Sequence, residues 1–185
     1  MYIFLVPLLV GFAFSSASTF TAAYSARLGK RGGQLVSVLL RDVLGIPVWF
    51  LGLALAVRAS ASQLVATNAA SDVFSWFLLA AGSCLQIWAI LFIRMRALAP
   101  TDRDSLVRQG PYARIRHPIY TGLLCQLAGL VLYVPTLPVI LTCLIFIGWI
   151  LLQVPLEERD LLRRVPGYDG YMQQVPRFFP RLGRK

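Results

Sequence analysis

The sequence predicts an all-α integral membrane bundle of about five spanning helices, followed by a short cytoplasmic helical segment. Three observations carry this. Hydrophobic residues make up 57% of the chain against 14% charged, and the mean hydropathy of +0.67 is too apolar for a soluble domain. The apolar residues fall into five runs of near-spanning length. Every basic residue but Arg58 lies in alternate connections or in the tail, as charges that orient a membrane protein do.

The first run covers about residues 2–24; it lacks the positive leader of a cleaved signal peptide and reads as a first span. The second covers about residues 35–57, with Arg41 and Asp42 near its start and Pro47 as a kink site. The third covers about residues 73–93, the fourth about 119–133 and the fifth about 136–156. The Pro135–Pro138 turn makes the last two a tight helical hairpin, and the short fourth span is expected to tilt or lie partly in the interface. Gly122, Ala128, Gly129 and Gly148 are expected to permit close helix packing. Residues 156–164 form a short cytoplasmic helix ended by Pro166-Gly167, and Phe178 and Phe179 read as an interfacial anchor. No internal repeat or low-complexity tract interrupts this single domain of 185 residues.

The charge pattern places the N-terminus outside and the C-terminus in the cytoplasm. The net charge of +10 is met by anionic lipid; no basic stripe interleaved with aromatics or nucleic-acid motif is present, so no nucleic-acid partner is expected. Cys84, Cys125 and Cys143 lie in apolar runs at spacings unlike a zinc site, and no metal is expected.

The chemistry-bearing residues gather on the cytoplasmic side. The run Gly110 to Tyr120 contains the sole histidine, His117. The hairpin formed by the last two spans brings His117 and Tyr120 near Glu157, although they are far apart in sequence. Pro118 suits the first position of a helix and biases His117 away from helical geometry, leaving its carbonyl exposed. Tyr112 and Tyr120 offer aromatic faces to an adenine or a sulfonium. Glu157, near the membrane boundary, calls for a cation or an arginine. Each feature also has a plainer reading. His117 also reads as a helix-entry residue, Glu157-Glu158 as a solvated pair at a helix start, and the tyrosines as belt residues. Arg41 and Asp42 read as a mutually neutralising headgroup pair or as part of the site.

The stretch Leu106-Val107-Arg108-Gln109-Gly110-Pro111-Tyr112, then Arg116-His117-Pro118-Ile119-Tyr120, Glu157-Glu158-Arg159 and Tyr168-x-x-Tyr171-x-x-x-Val175-Pro176-Arg177-Phe178, resembles the isoprenylcysteine carboxyl methyltransferase family and the related phospholipid methyltransferases. The resemblance begins at about Trp88 and runs through the second half of the chain; the first two spans fit the five-helix form of prokaryotic members. It implies a methyltransferase of the bacterial inner membrane that uses S-adenosylmethionine, with a lipophilic or small carboxylate, thiol or amine acceptor. By position, Asp104, Ser105, Leu106, Val107, Tyr112, His117, Pro118, Ile119, Tyr120 and Glu157 would bind the cofactor, with Glu157 at its charged end. Arg116 and His117 would play positioning roles in catalysis, Arg116 either orienting an anionic substrate group or pairing with Glu157. At His117 the backbone is expected to matter more than the ring. The family's arginine four residues before the glutamate, which serves a substrate carboxylate, is replaced here by Gln153. Two other readings compete: a membrane reductase of the sterol type, which shares an Arg-His-Pro-x-Tyr region and takes a nicotinamide cofactor, and a non-catalytic membrane scaffold.

Overall fold

A computed structural model describes residues 2–93 and 105–181. Among them the chain is helical, with one isolated β-bridge, Gln63 to Thr136. The helices are α1 (Leu5–Ala17), α2 (Thr21–Val38), α3 (Ile46–Arg58), α4 (Ala69–Ile93), α5 (Pro118–Tyr133), α6 (Leu137–Arg164) and α7 (Tyr168–Gln174). A π-helical turn, Leu39–Gly45, joins α2 to α3, and a 3₁₀ turn, Gly110–Ala113, precedes α5.

Three helical runs are long and apolar enough to cross a membrane: Thr21–Arg58, Ala69–Ile93 and Leu137–Arg164; α1 and α5 are shorter and apolar. Large apolar side chains such as Val73, Phe77, Leu91, Leu144 and Leu152 point outward, which suits a lipid surround. The molecule is an all-α membrane helical bundle.

The first apolar run is not one helix. α1 stops at Ala17, where Ser18 and Thr19 turn their hydroxyls back onto the carbonyls of Ser15 (2.6 Å) and Ser16 (2.7 Å). These bonds satisfy helix-end acceptors locally, so the helix can end within an apolar stretch. α2 then folds back on itself at Gly29, whose φ of 74° suits glycine. Its two arms meet where Gly33 lies against Ser25, and the Thr21 and Ser37 hydroxyls hydrogen bond at 2.9 Å. The basic residues Arg27, Lys30 and Arg31 thus occupy the tip of a helical hairpin. Pro47 is absorbed differently from the expected kink: it sits in the first turn of α3, after the π-helical turn has interrupted the regular ladder.

α4 begins with reciprocal capping: the Ser71 amide donates to Asn68 Oδ1 (3.0 Å) and the Asn68 amide to Ser71 Oγ (2.9 Å). The fifth run continues past the predicted end. α6 carries Pro155 internally and extends to Arg164, so residues 156–164 belong to the same helix rather than to a separate one.

Two helix pairs are set by close glycine contacts. Gly82 of α4 and Gly122 of α5 each face the other's carbonyl, and Gly129 faces that of Ser75. On the other side, Gly11 lies against the Trp49 backbone and Gly52 against that of Leu8, joining α1 to α3. Gly122 and Gly129 therefore act as expected, whereas Gly148 has open space around it and Ala128 is exposed. α6 packs against α5, α3 and α1. The core between them holds Leu8, Phe12, Leu127, Phe146, Ile150 and Val154. Phe12 stacks on Trp149 and meets Phe146 edge-on, both at 4.6 Å between centroids.

Candidate functional site

One end of the bundle collects the end of α1, the π-helical turn, the end of α4, the start of α5 and the last turns of α6 around a cavity of about 430 Å³. Ser105, Leu106, Val107, Tyr112, Arg116, His117, Pro118, Ile119, Tyr120, Gln153 and Glu157 all line it. Asp104 lies outside the described residues.

The Gly110 turn positions the start of this wall. Gly110 has a φ of 58°, and a side chain there would press into the Phe92 ring, so glycine is required twice over. The 3₁₀ turn that follows buries Tyr112, whose carbonyl accepts a 2.6 Å hydrogen bond from the Tyr171 hydroxyl. Burial, reinforced by the negative charge of Glu157, pushes the Tyr112 hydroxyl well above the usual phenol range. Burial also pushes Tyr171 up to about 12, so it keeps its proton at neutral pH and donates it to the Tyr112 carbonyl.

His117 is the N-cap of α5 and Pro118 its first residue. Its carbonyl is not exposed, as the sequence suggested; it accepts from the amide (3.0 Å) and the hydroxyl (3.1 Å) of Thr121. The ring is enclosed as well. It is buried at 6% exposure between two carboxylates, with Nε2 at 3.2 Å from Glu158 Oε1 and Nδ1 at 3.8 Å from Glu157 Oε2.

The adjacent glutamates have different surroundings because they point to different sides of α6. Glu158 is 3% exposed and forms the centre of a cluster: Arg116 at 3.0 Å, Arg177 at 2.7 Å and His117. Arg116 therefore pairs with Glu158 rather than Glu157, and it also donates to the Met172 carbonyl at 2.7 Å. Glu157 is partly exposed, at 33% of its side chain, and lines the cavity beside His117 and Tyr120. The α5–α6 hairpin thus places His117, Tyr120 and Glu157 together.

The tail completes the arrangement. The amides of Arg116 and His117 donate to the carbonyls of Pro176 (2.8 Å) and Arg177 (3.0 Å), and the Thr121 hydroxyl donates to that of Phe178 (3.0 Å). Phe178 packs inward against the core, with its ring 6.2 Å from that of His117. It is not the lipid anchor the sequence suggested; Phe179, 70% exposed, faces outward.

The cavity wall includes residues that sequence reasoning missed. Asp160 and Arg164 pair at 2.6 Å, and Asp160 also accepts from the Ala22 amide at 3.4 Å. Both lie on the face of α6 that carries Gln153 and Glu157, so helical spacing from Glu157 points to them. Arg41 and Asp42 form a two-pronged ion pair (2.9 and 3.0 Å) and line the cavity. Ser15, Trp49 and Trp149 close its inner end. Among the described residues, no group of three or more His, Cys, Asp or Glu side chains is placed to hold a metal ion.

Two curated relatives share about half of this chain. The nickel-cobalt-cadmium resistance protein NccN of Alcaligenes xylosoxydans xylosoxydans is 32% identical over 101 residues, which is 52% of this chain and 44% of that protein. The cobalt-zinc-cadmium resistance protein CzcN of Cupriavidus metallidurans is 31% identical over 100 residues, 52% of this chain and 43% of that protein. The chain thus spans less than half the length of these relatives. No solved structure matches it significantly. Residues 70–167, more than half of the chain and including the cavity-lining parts of α4, α5 and α6, match the phospholipid methyltransferase family, and the chain belongs to that family.

Proposed function

We propose that the chain transfers a methyl group from S-adenosylmethionine to a lipophilic acceptor at the polar end of its bundle. The observation that carries this reading is Glu157: a carboxylate on the wall of an aromatic-lined cavity, one-third exposed and 3.8 Å from His117 Nδ1. A cationic ligand in that cavity would complement its charge. S-adenosylmethionine, when bound, supplies a methyl group already activated on a sulfonium sulfur.

The lining suits that cofactor chemically. Glu157 would hold its ammonium group. The faces of Tyr112 and Tyr120 suit its adenine and sulfonium. Ser105, Leu106, Val107 and the turn His117 to Tyr120 would form the remaining wall, with Asp104 a further candidate. The buried ring of His117, gripped by Glu158, fixes the start of α5 and with it the Tyr120 side chain. Apolar residues such as Leu123 and Ile90 exclude water from the inner wall, and holding two reactants there in register supplies much of the rate enhancement available to a displacement of this kind. The positive-inside rule places this end in the cytoplasm, where the cofactor enters, while the acceptor enters from the bilayer.

Equilibrium dialysis of the detergent-purified protein against labelled S-adenosylmethionine and NADPH tests the reading. Saturable binding of S-adenosylmethionine is expected, weakened by roughly tenfold or more in Glu157→Ala through loss of a charge-assisted contact. Binding of NADPH alone would move the chain to the reductase reading, and unchanged affinity in Glu157→Ala would remove Glu157 from the site.

A further inference from the structure

The antiparallel helices α4 and α5 meet through two matched segments, Gly82-Ser83-Cys84-Leu85-Gln86 and Gly122-Leu123-Leu124-Cys125-Gln126. Each glycine faces the other's carbonyl, and each glutamine lays its Cγ against the opposite glycine, Gln86 on Gly122 and Gln126 on Gly82. The two amides then differ. Gln126 Nε2 donates to Ser83 Oγ at 2.9 Å, and the Ser83 hydroxyl donates to the Leu79 carbonyl at 2.8 Å, so this polar chain closes within the helix pair. The position that would serve Gln86 in the same way is Leu123, which has no hydroxyl. Gln86 and Leu123 line the cavity, whereas Gln126 and Ser83 do not.

The orientation of the Gln86 amide is fixed by a backbone contact. Its Nε2 donates to the Ile119 carbonyl at 3.3 Å. A carbonyl oxygen only accepts, so the amide nitrogen takes that side and Oε1 the other. The side chain is partly exposed, and its stem is held on Gly122. The amide oxygen is thereby left to the cavity, about one turn of α5 inward from His117. The neighbouring lining residues, Ile90 one turn along α4 and Leu123, are apolar. An anionic head there would be set against a carbonyl dipole and hydrocarbon. A hydrocarbon or ether end would displace water from the amide oxygen without replacing its bond. An uncharged head bearing an O–H or N–H would supply that bond.

We infer that Gln86 is a specificity-determining residue for the acceptor, selecting an uncharged, hydrogen-bond-donating head, and that leucine at 123, where the matched segment has serine, keeps its amide available for that head. The inference rests on the methyl-transfer reading and deepens it by naming the kind of acceptor. In that reading the cofactor's ammonium sits at Glu157, and Gln86 stands on the membrane side of it, where an acceptor arriving from the bilayer meets the cavity. The binding preference itself does not depend on the cofactor. Gln126 is the internal comparison: the same residue type on the same helix pair, with its amide consumed by Ser83.

The test uses dodecanol, its methyl ether and dodecanoate, titrated calorimetrically into the purified full-length protein in maltoside micelles without S-adenosylmethionine, with each probe's partition into the micelles measured separately. The wild type is expected to bind dodecanol roughly tenfold tighter than either of the other two, the effect of one acceptor satisfied or left unpaired. Gln86→Met should bring the ratio of alcohol to ether close to one. Gln126→Met, which disturbs the same helix pair away from the cavity, should keep the tenfold ratio. Leu123→Ser should lower the ratio by giving the Gln86 amide a partner inside the pair, and it carries the test if Gln86→Met fails to fold. Ether or dodecanoate binding as tightly as dodecanol in the wild type would overturn the inference without reference to any variant. So would a full preference persisting in Gln86→Met or in Leu123→Ser, or an equal loss in Gln126→Met, which would mark the effect as one of helix packing. Because no cofactor is present, these outcomes are separate from success or failure in the dialysis experiment.

Discussion

Replacing Glu158 by glutamine should unfold this protein far more readily than the same replacement at its neighbour Glu157. The Glu158 carboxylate is 3% exposed and faces Arg116, itself 8% exposed, at 3.0 Å. Removing its charge leaves a buried guanidinium without its counter-ion, and the Arg116 Nε already lacks a hydrogen-bond partner. Breaking a buried pair from one side costs about 3–5 kcal/mol. The Arg177 arm, 47% exposed, contributes less than about 1 kcal/mol because water screens it. For a chain of this size, about 2–4 °C per kcal/mol converts the loss to a fall of roughly 6–20 °C in Tm. Near-UV circular dichroism melts in a single detergent provide the assay, with Arg177→Ala and Glu157→Gln as companions expected to shift by only a few degrees, on the order of 1 kcal/mol each. If Glu158→Gln melted together with those two variants, the separation of a structural glutamate from a ligand-facing one would fail.

Other consequences can be checked with single substitutions. Gly122→Leu should prise α5 from α4 and lower stability by about 1–3 kcal/mol or more through overpacking, whereas Gly148→Leu, with open space around it, should leave the melt unchanged; equal effects would contradict the packing. Gly110→Ala should weaken S-adenosylmethionine binding through displacement of the Tyr112 turn, by a combination of positive-φ strain of about 1 kcal/mol and contact with Phe92; wild-type affinity in that variant would show that the turn is dispensable. A reporter fused after Lys185 should read out as cytoplasmic, and a periplasmic signal would invert the proposed orientation.

The fold class was legible because hydropathy and charge placement both report on the bilayer. The break after α1 was not. Ser18 and Thr19 end the helix with their own hydroxyls inside an otherwise apolar run, and a hydropathy window averages over them. The return of α2 on itself was signalled only by Gly29 among the basic residues, a local cue without the Thr21–Ser37 contact that completes it. In the site, the hairpin argument was sufficient to bring His117, Tyr120 and Glu157 together because a short turn leaves two antiparallel helices little freedom. Glu158 was readable in principle. It continues the row Phe146, Ile150, Val154 at four-residue spacing, all buried, so a carboxylate at the next position required cationic partners. Its choice of Arg116 and Arg177 depends on the tail crossing the start of α5, which no local pattern encodes. Ser15 was not legible as a cavity residue, since only the packing of α1 against α3 brings it there.

The separation of roles between the two glutamates also explains why a cluster of charges can exist at the end of so apolar a bundle. Burying a charge is tolerable when a partner is fixed beside it, and Glu158 meets that condition with three cationic or protonatable neighbours supplied by the residues leading into α5 and by the tail. That cluster holds the first turn of α5, and the first turn of α5 presents His117 and Tyr120 to the cavity. Glu157, one residue earlier and turned about 100° around the helix, stays outside the Arg116–Arg177 cluster and can be matched to a ligand. A single buried carboxylate doing both would loosen the tail each time a cation bound. Two adjacent residues on one helix avoid that conflict, so ligand binding at Glu157 should leave the Arg177 contact intact. Spin labels on Phe179→Cys and Arg163→Cys, both exposed positions, should therefore report the same distance with and without S-adenosylmethionine; a shift of several ångströms on binding would show that the tail and the ligand compete for the same charge.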